Sequence, residues 1–169
     1  DNARNVLGYY TRFFRRGPVL ELASGPGVFL DLLRENGIES RGVDIEEGMV
    51  AQARRTGHAV VRDGALNHLR DLPARSLEGL FAAHFLEHLQ AHDVQAVYAE
   101  AARVLTRGGI FVAAVPNAAC LSVLPLDFWL DPPNVRFYDP VSHQFLVRTT
   151  GPANVATCAQ RPTQRGPHE

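Results

Sequence analysis

The run Val19-Leu20-Glu21-Leu22-Ala23-Ser24-Gly25-Pro26-Gly27-Val28-Phe29-Leu30 constrains this chain more than any other stretch. Val19 to Leu22 read as a short buried strand. Gly25 and Gly27 allow a sharp turn and leave no Cβ over it, so a ligand can lie against the main chain. From Val28 onward the sequence reads as a helix, whose first amides point partial positive charge at the turn. A strand, a bare loop and a helix N-terminus together make a cradle for a small ligand.

Two ligand classes compete on these residues. A nicotinamide site uses G-x-G-x-x-G, whose third glycine lets helix and strand pack closely. Here the frame runs Gly25, Gly27, Leu30, so that glycine is missing. An S-adenosylmethionine (SAM) site instead ends its strand on an acidic residue just before the glycines. Glu21 stands at that place, where its carboxylate can pair with an ammonium group. A strand–turn–helix without a ligand is the third reading.

The remaining pattern alternates strands with helices. Asn5 to Arg16 carries Val6, Leu7, Tyr10, Phe13 and Phe14 at near-helical spacing, which predicts an amphipathic helix against a sheet. A helix face of Val28, Phe29, Leu32 and Leu33 closes at Asn36-Gly37. Further strands are expected over Arg41 to Ile45, Ala59 to Asp63, Leu77 to Phe85 and Ile110 to Val115. Helices are expected over Glu46 to Arg55 and Val94 to Leu105, with a short helical piece around Leu66 and Leu69. Such alternation means parallel pairing, right-handed crossovers and helices on both faces of the sheet. Phe128 to Pro133 reads as a lid or loop, and Pro140 to Leu146 as one short helix. Thr149 to Glu169 has no hydrophobic period, so the expected division is a domain over 1–148 and a poorly ordered tail over 149–169.

With 169 residues the chain suits one compact domain. A net charge of −1 argues against a nucleic-acid or anionic-membrane surface. Cys120 and Cys158 have no metal-type spacing and read as free thiols. No secretory leader and no apolar run of membrane-spanning length is read, so a cytoplasmic chain is expected.

Asp44 ends the second strand roughly twenty residues after the glycine loop, the distance at which a carboxylate grips ribose hydroxyls. With it, the chain resembles the class I SAM-dependent methyltransferases. The residues that carry the likeness are Glu21-Leu22-Ala23-Ser24-Gly25-Pro26-Gly27, Gly42-Val43-Asp44-Ile45, Phe85-Leu86-Glu87-His88-Leu89 and Ala101 to Gly109. It spans Pro18 to Asn117, more loosely to Tyr138, and is nearest to bacterial enzymes that modify small molecules or saccharides. The resemblance implies an α/β, Rossmann-like sheet of order 3-2-1-4-5 with SAM across the carboxyl ends of strands 1, 2 and 4. Glu21, Ala23, Gly25 and Gly27 would hold the methionine part. Asp44 would take the ribose, Ile45 and Met49 would flank the adenine, and Asp63, Gly64 and Ala65 would meet its edge. His84 and Phe85 would face the reactive methyl.

Three departures stand out. The family usually has Asp at Glu21 and Gly at Ala23. Its acidic residue at the adenine edge usually directly precedes the alanine, whereas Gly64 intervenes here. Its final antiparallel strands have no counterpart in the tail, so the expectation is a chain that is truncated, decayed, or completed by a protein partner or a larger parent chain. The function expected is O-methylation of a small-molecule or saccharide acceptor. The alternatives are a non-catalytic remnant or partner-dependent subunit that keeps the fold, and a nicotinamide-dependent oxidoreductase. His88 is the first candidate base and His84 the second, since histidine titrates near neutrality. His84 to His88 also spells H-x-x-E-H, a zinc motif that needs both histidines on one helix. A strand reading over Leu80 to Phe85 forbids that, and no metal is expected. His58, His68 and His92 are read as solvent-facing.

Overall fold

The computed structural model describes residues 2–116 of the chain. Their elements alternate as the pattern demands. α1 (Asn2–Gly8) and a 3-10 turn (Tyr9–Phe13) lead into β1 (Val19–Leu22), α2 (Val28–Glu35), β2 (Ser40–Asp44), α3 (Glu47–Arg55) and β3 (Val60–Arg62). Then come α4 (Ala65–Asp71), β4 (Leu77–Ala83), a 3-10 turn (Leu86–His88), α5 (Ala91–Val104) and β5 (Leu105–Ala114). The strands form one sheet in the order β3-β2-β1-β4-β5. Every pairing is parallel. This is the expected 3-2-1-4-5 arrangement. The chain winds outward from β1 to β3, then returns to β4 on the other side of β1. The connections leaving β1 and β4 therefore diverge, and sheets of this order bind ligands outside the carboxyl ends at such a point.

The central strand shows why helices must cover both faces. All four residues of β1 are buried, as a parallel strand between two layers requires. Val19 faces Phe14, Phe29, Leu33, Ile38 and Phe81 on the side of α1 and α2. Leu20 and Leu22 face Leu69, Leu80, Val97, Tyr98 and Val104 on the side of α4 and α5. The period of two decides these sides, and it turns Glu21 toward the α2 layer.

That layer is held by aromatics. The rings of Phe29 and Phe81 lie 3.9 Å apart between centroids. Phe14 meets them at 5.8 and 6.1 Å, edge-on. Gly79 makes room for it, since a Cβ there would stand 2.6 Å from Cδ1 of Phe14. No helix among the described residues is long and apolar enough to cross a membrane.

Several boundaries differ from expectation. The N-terminal segment is not one helix over Asn5 to Arg16, because α1 ends at Gly8 and a 3-10 turn follows. The tighter turn delivers Tyr10 onto Phe81, at 5.5 Å. β4 stops at Ala83, since His84 takes a left-handed φ of +52° that no strand continues through. β5 begins at Leu105, ahead of the expected Ile110. Its register jumps from Leu77↔Leu105 to Gly79↔Ile110, so Arg107-Gly108-Gly109 bulges out, with Gly108 at φ +84°. The lid region, the helix near Pro140, the boundary at residue 148 and both cysteines lie outside the described residues.

Phe81 sits at the centre of the aromatic layer, so Phe81→Ala should cost about 3–5 kcal/mol. Urea denaturation followed by far-UV circular dichroism checks this. An unchanged midpoint would mean that the layer does not hold the fold.

Candidate cofactor-binding cleft

The turn after β1 folds through left-handed backbone. Ala23 has φ +51°, Gly25 +52° and Gly27 +91°. Glycine takes such angles freely, while Ala23 takes them under strain. A Cβ on Gly25 would meet nothing within 4 Å, so the space above it is open. The Ser24 amide donates to Val43 O at 3.1 Å and the Gly27 amide to Ser24 O at 3.1 Å. α2 then starts with the Asp31 amide on Gly27 O at 2.9 Å.

Asp44 braces this turn from the end of β2. Its Oδ2 accepts from the Gly25 amide at 2.7 Å, and its Oδ1 from the Glu46 amide at 2.8 Å. Each carboxylate oxygen keeps a second lone pair for another donor. The Asp63 amide donates to Asp44 O at 3.1 Å, which draws the end of β3 to the same place. Asp63 Oδ1 in turn accepts from the Gly64 amide at 2.7 Å, and α4 begins at Ala65.

Glu21 is 4% exposed, and its Oε2 has no hydrogen-bond partner among the described residues. Burial pushes its carboxyl well above the usual glutamate range, and the nearby charge of Asp44 pushes the same way. An orphaned buried oxygen beside a second carboxylate is poorly matched to an empty cleft. It is well matched to a bound cation. Ile45 and Met49 stay 68% and 43% exposed just beyond Asp44, an apolar rim that protein atoms leave uncovered. Leu30, in the position of the missing third glycine, is buried against Val50, Ala53 and Val60.

The segment after β4 carries the histidines. The His84 side chain is 69% exposed, and its Nδ1 lies 3.2 Å from Oε1 of Glu87, which is buried. Phe85 is half-buried against the α5 side of the core. His88 Nδ1 is buried with no hydrogen-bond partner among the described residues. His84 sits on a bend and His88 in a 3-10 turn, so they do not share a helix.

Two of the three histidines read as solvent-facing are not. The His58 side chain is 6% exposed and meets Asp31 Oδ1 at 2.9 Å. His68 has a buried Nε2, and burial, with Arg41 second, pulls its pKa down. Both fall in short polar-looking stretches, where period carries no burial signal. His92 is exposed as expected. Sequence reasoning also gave Glu87 no role, and only its pairing with His84 shows one. A cavity of about 410 Å³ lined by Pro18, Arg41 and Ser76 opens at the amino ends of the strands. The glycine turn lies at the other end of the sheet.

Glu21 and the turn Ala23–Gly27 thus stand at the carboxyl end of β1 next to Asp44 at the end of β2, with the exposed Ile45 and Met49 following Asp44 in the chain. A family model described as "Methyltransferase domain" matches residues 20–113. A curated protein of Mycolicibacterium smegmatis, described as "Probable S-adenosylmethionine-dependent methyltransferase", is 31% identical over 134 residues. The match covers 79% of this chain and 51% of that protein, so the chain spans about half of its curated relative. The crystal structure of an SAM-dependent methyltransferase from Archaeoglobus fulgidus superposes with a TM-score of 0.78 at 30% identity. It covers 88% of this chain and 68% of that one. A chain in the complex of the Haloferax volcanii Trm112 methyltransferase activator with a methyltransferase shares the fold. Its TM-score is 0.68 at 22% identity, over 80% of this chain and 61% of that one.

The burial of Glu21 sets a pH signature. Its folded pKa lies above the unfolded value, so its stabilising contribution is complete below about pH 4.3. As pH rises above that, the unfolded chain releases its proton first, and stability falls by up to about 1.4 kcal/mol per pH unit until the folded group also ionises. Glu21→Gln removes this term. Its urea midpoint should match the wild type near pH 4 and exceed it as pH rises above that, the gap levelling off where the folded carboxyl ionises. Midpoints that run parallel across this range would contradict the assigned environment.

Proposed function

The chain belongs to the SAM-dependent methyltransferases, and on that footing we propose that it methylates an oxygen of a small-molecule or saccharide acceptor. The observation that carries the cofactor site is Glu21. A buried carboxyl near Asp44, with one oxygen that has no hydrogen-bond partner among the described residues, fits the ammonium of an amino-acid ligand. The open space over Gly25 fits a ligand lying on the main chain.

Glu21 and the Ala23–Gly27 turn would hold the methionine end. The spare lone pairs of Asp44 would accept from the ribose hydroxyls while its other lone pairs keep the turn in place. Ile45 and Met49 would cover the adenine faces, and Asp63, Gly64 and Ala65 would border its edge. When bound, SAM supplies a methyl already made electrophilic by its positive sulfur. The protein then has to orient the acceptor, exclude water and take up one proton from the acceptor hydroxyl.

His84 and His88 are the candidate bases, and the geometry favours His84. Its ring is exposed at the end of β4, and the buried Glu87 carboxylate behind Nδ1 can fix the tautomer that leaves Nε2 basic. His88 has its Nδ1 buried, which suits a structural place under the turn. A second reading, a subunit that works only with a partner or as part of a longer chain, draws on the length comparison. The Haloferax complex pairs a methyltransferase with an activator.

Isothermal titration with S-adenosylhomocysteine tests the cofactor site. The wild type should bind, and Asp44→Asn should weaken binding by about tenfold or more, the worth of a hydrogen bond to a charged group. No binding at millimolar ligand would remove the proposal. With methyl-labelled SAM and hydroxylated acceptors, His84→Gln should lower kcat by about 10²–10⁴ and leave the affinity for S-adenosylhomocysteine unchanged. An unaffected kcat would remove His84 as base.

A further inference from the structure

Gly27 is bare for a reason beyond its φ. A Cβ built on it would stand 2.7 Å from Cδ2 of His58 and 3.3 Å from Nε2. The imidazole occupies the space directly behind the turn. His58 lies between α3 and β3, and its amide donates to Ala53 O at 3.1 Å, so the backbone there is fixed to the end of α3. Its Nε2 is 2.9 Å from Asp31 Oδ1. An ionised carboxylate only accepts, so Nε2 carries the hydrogen.

These contacts close a circuit. Gly27 O accepts from the Asp31 amide. The Asp31 carboxylate accepts from His58, and the His58 ring rests against Gly27. Arg34 adds a parallel bridge, donating to Asp31 Oδ1 at 2.5 Å and to Thr56 O at 3.0 Å. The first turn of α2 is thereby tied to the loop Thr56-Gly57-His58. That loop ends α3, the helix that carries Met49. A hydrophobic residue would fill the same volume without the bond to Asp31. The circuit therefore calls for a ring that both packs and donates.

We propose that His58 is a positioning residue for the cofactor turn. Wedged behind Gly27 and anchored on Asp31, it sets where the Gly25–Gly27 bend stands relative to the α3 side of the cleft. The inference rests on the SAM reading above and assigns His58 a task that is not contact with the ligand.

The test is calorimetric titration of the full chain with S-adenosylhomocysteine, alongside thermal denaturation of the same samples. His58→Phe keeps the bulk and loses the donor. It should weaken binding by about tenfold or more, while His58→Gln, which keeps a donor near the Nε2 position, restores most of it. A merely structural histidine would shift the melting temperature in both variants and leave the affinity of the folded protein unmoved. The contact with Gly27 is read by a cycle. Gly27→Ala should cost less affinity in a His58→Ala background than in the wild type, because the ring it strikes is gone.

Additive costs in that cycle, or an unchanged affinity in His58→Phe, overturn the proposal. Should His58→Phe not fold, Asp31→Ala, which removes the acceptor, tests the same bond from a side chain that is 31% exposed. It should weaken binding likewise, and an unchanged affinity again overturns the proposal. A wild type that binds with these variants unaffected defeats the inference alone. A wild type that does not bind defeats the SAM reading and the inference with it.

Discussion

One carboxylate ties the cleft together. Asp44 reaches from the end of β2 and accepts the Gly25 amide at 2.7 Å, so the bend after β1 is held by its neighbouring strand. Without that acceptor the bend would present a bare amide to solvent beside a buried glutamate. With it, three residues can persist at left-handed φ, one of them an alanine. The sheet order makes this possible, because β1 and β2 are neighbours whose carboxyl ends point the same way. Topology thus brings Asp44 to the turn, and a short hydrogen bond fixes the turn in a shape a ligand can use.

Glu21 shows the opposing side of that arrangement. A folding optimum would place an apolar residue at the third position of a fully buried strand. The chain places a carboxyl there, leaves one of its oxygens without a hydrogen-bond partner among the described residues and sets Asp44 near it. The neighbours of Glu21 along the strand, Leu20 and Leu22, are wholly buried hydrophobics, so the departure is local. Local violations of packing rules that gather at one end of a sheet are where binding is expected. Here the strained backbone of Ala23 and His84 falls at the ends of adjacent strands β1 and β4, on the same side.

Much of this was legible in the sequence because it depends on local rules. The glycines of the bend, the apolar strand before them and the helix after them are neighbours in the chain. Asp44 could be found by offset, since one crossover separates β1 from β2. Parallel pairing followed from the alternation of elements, and the strand order from the family likeness. What escaped depends on contacts distant in sequence. His58 sits among Thr56, Gly57 and Ala59 with no apolar period around it, and its burial follows from the absence of a side chain on Gly27. His84 and Glu87 looked like members of a continued strand and its loop. Their pairing exists because backbone strain at His84 ends β4 early. The bulge of β5 was likewise hidden, since a glycine pair reads equally as a break or as a loop within a strand.

The orphaned oxygen of Glu21 has a thermodynamic corollary. A molecule that brings a cation to that carboxyl completes the interior and occupies the cleft in the same act, so folding and occupancy form a single linked equilibrium. Melting temperature then becomes a gauge of how much of the protein is loaded, and heat tolerance a property shared between the chain and its guest.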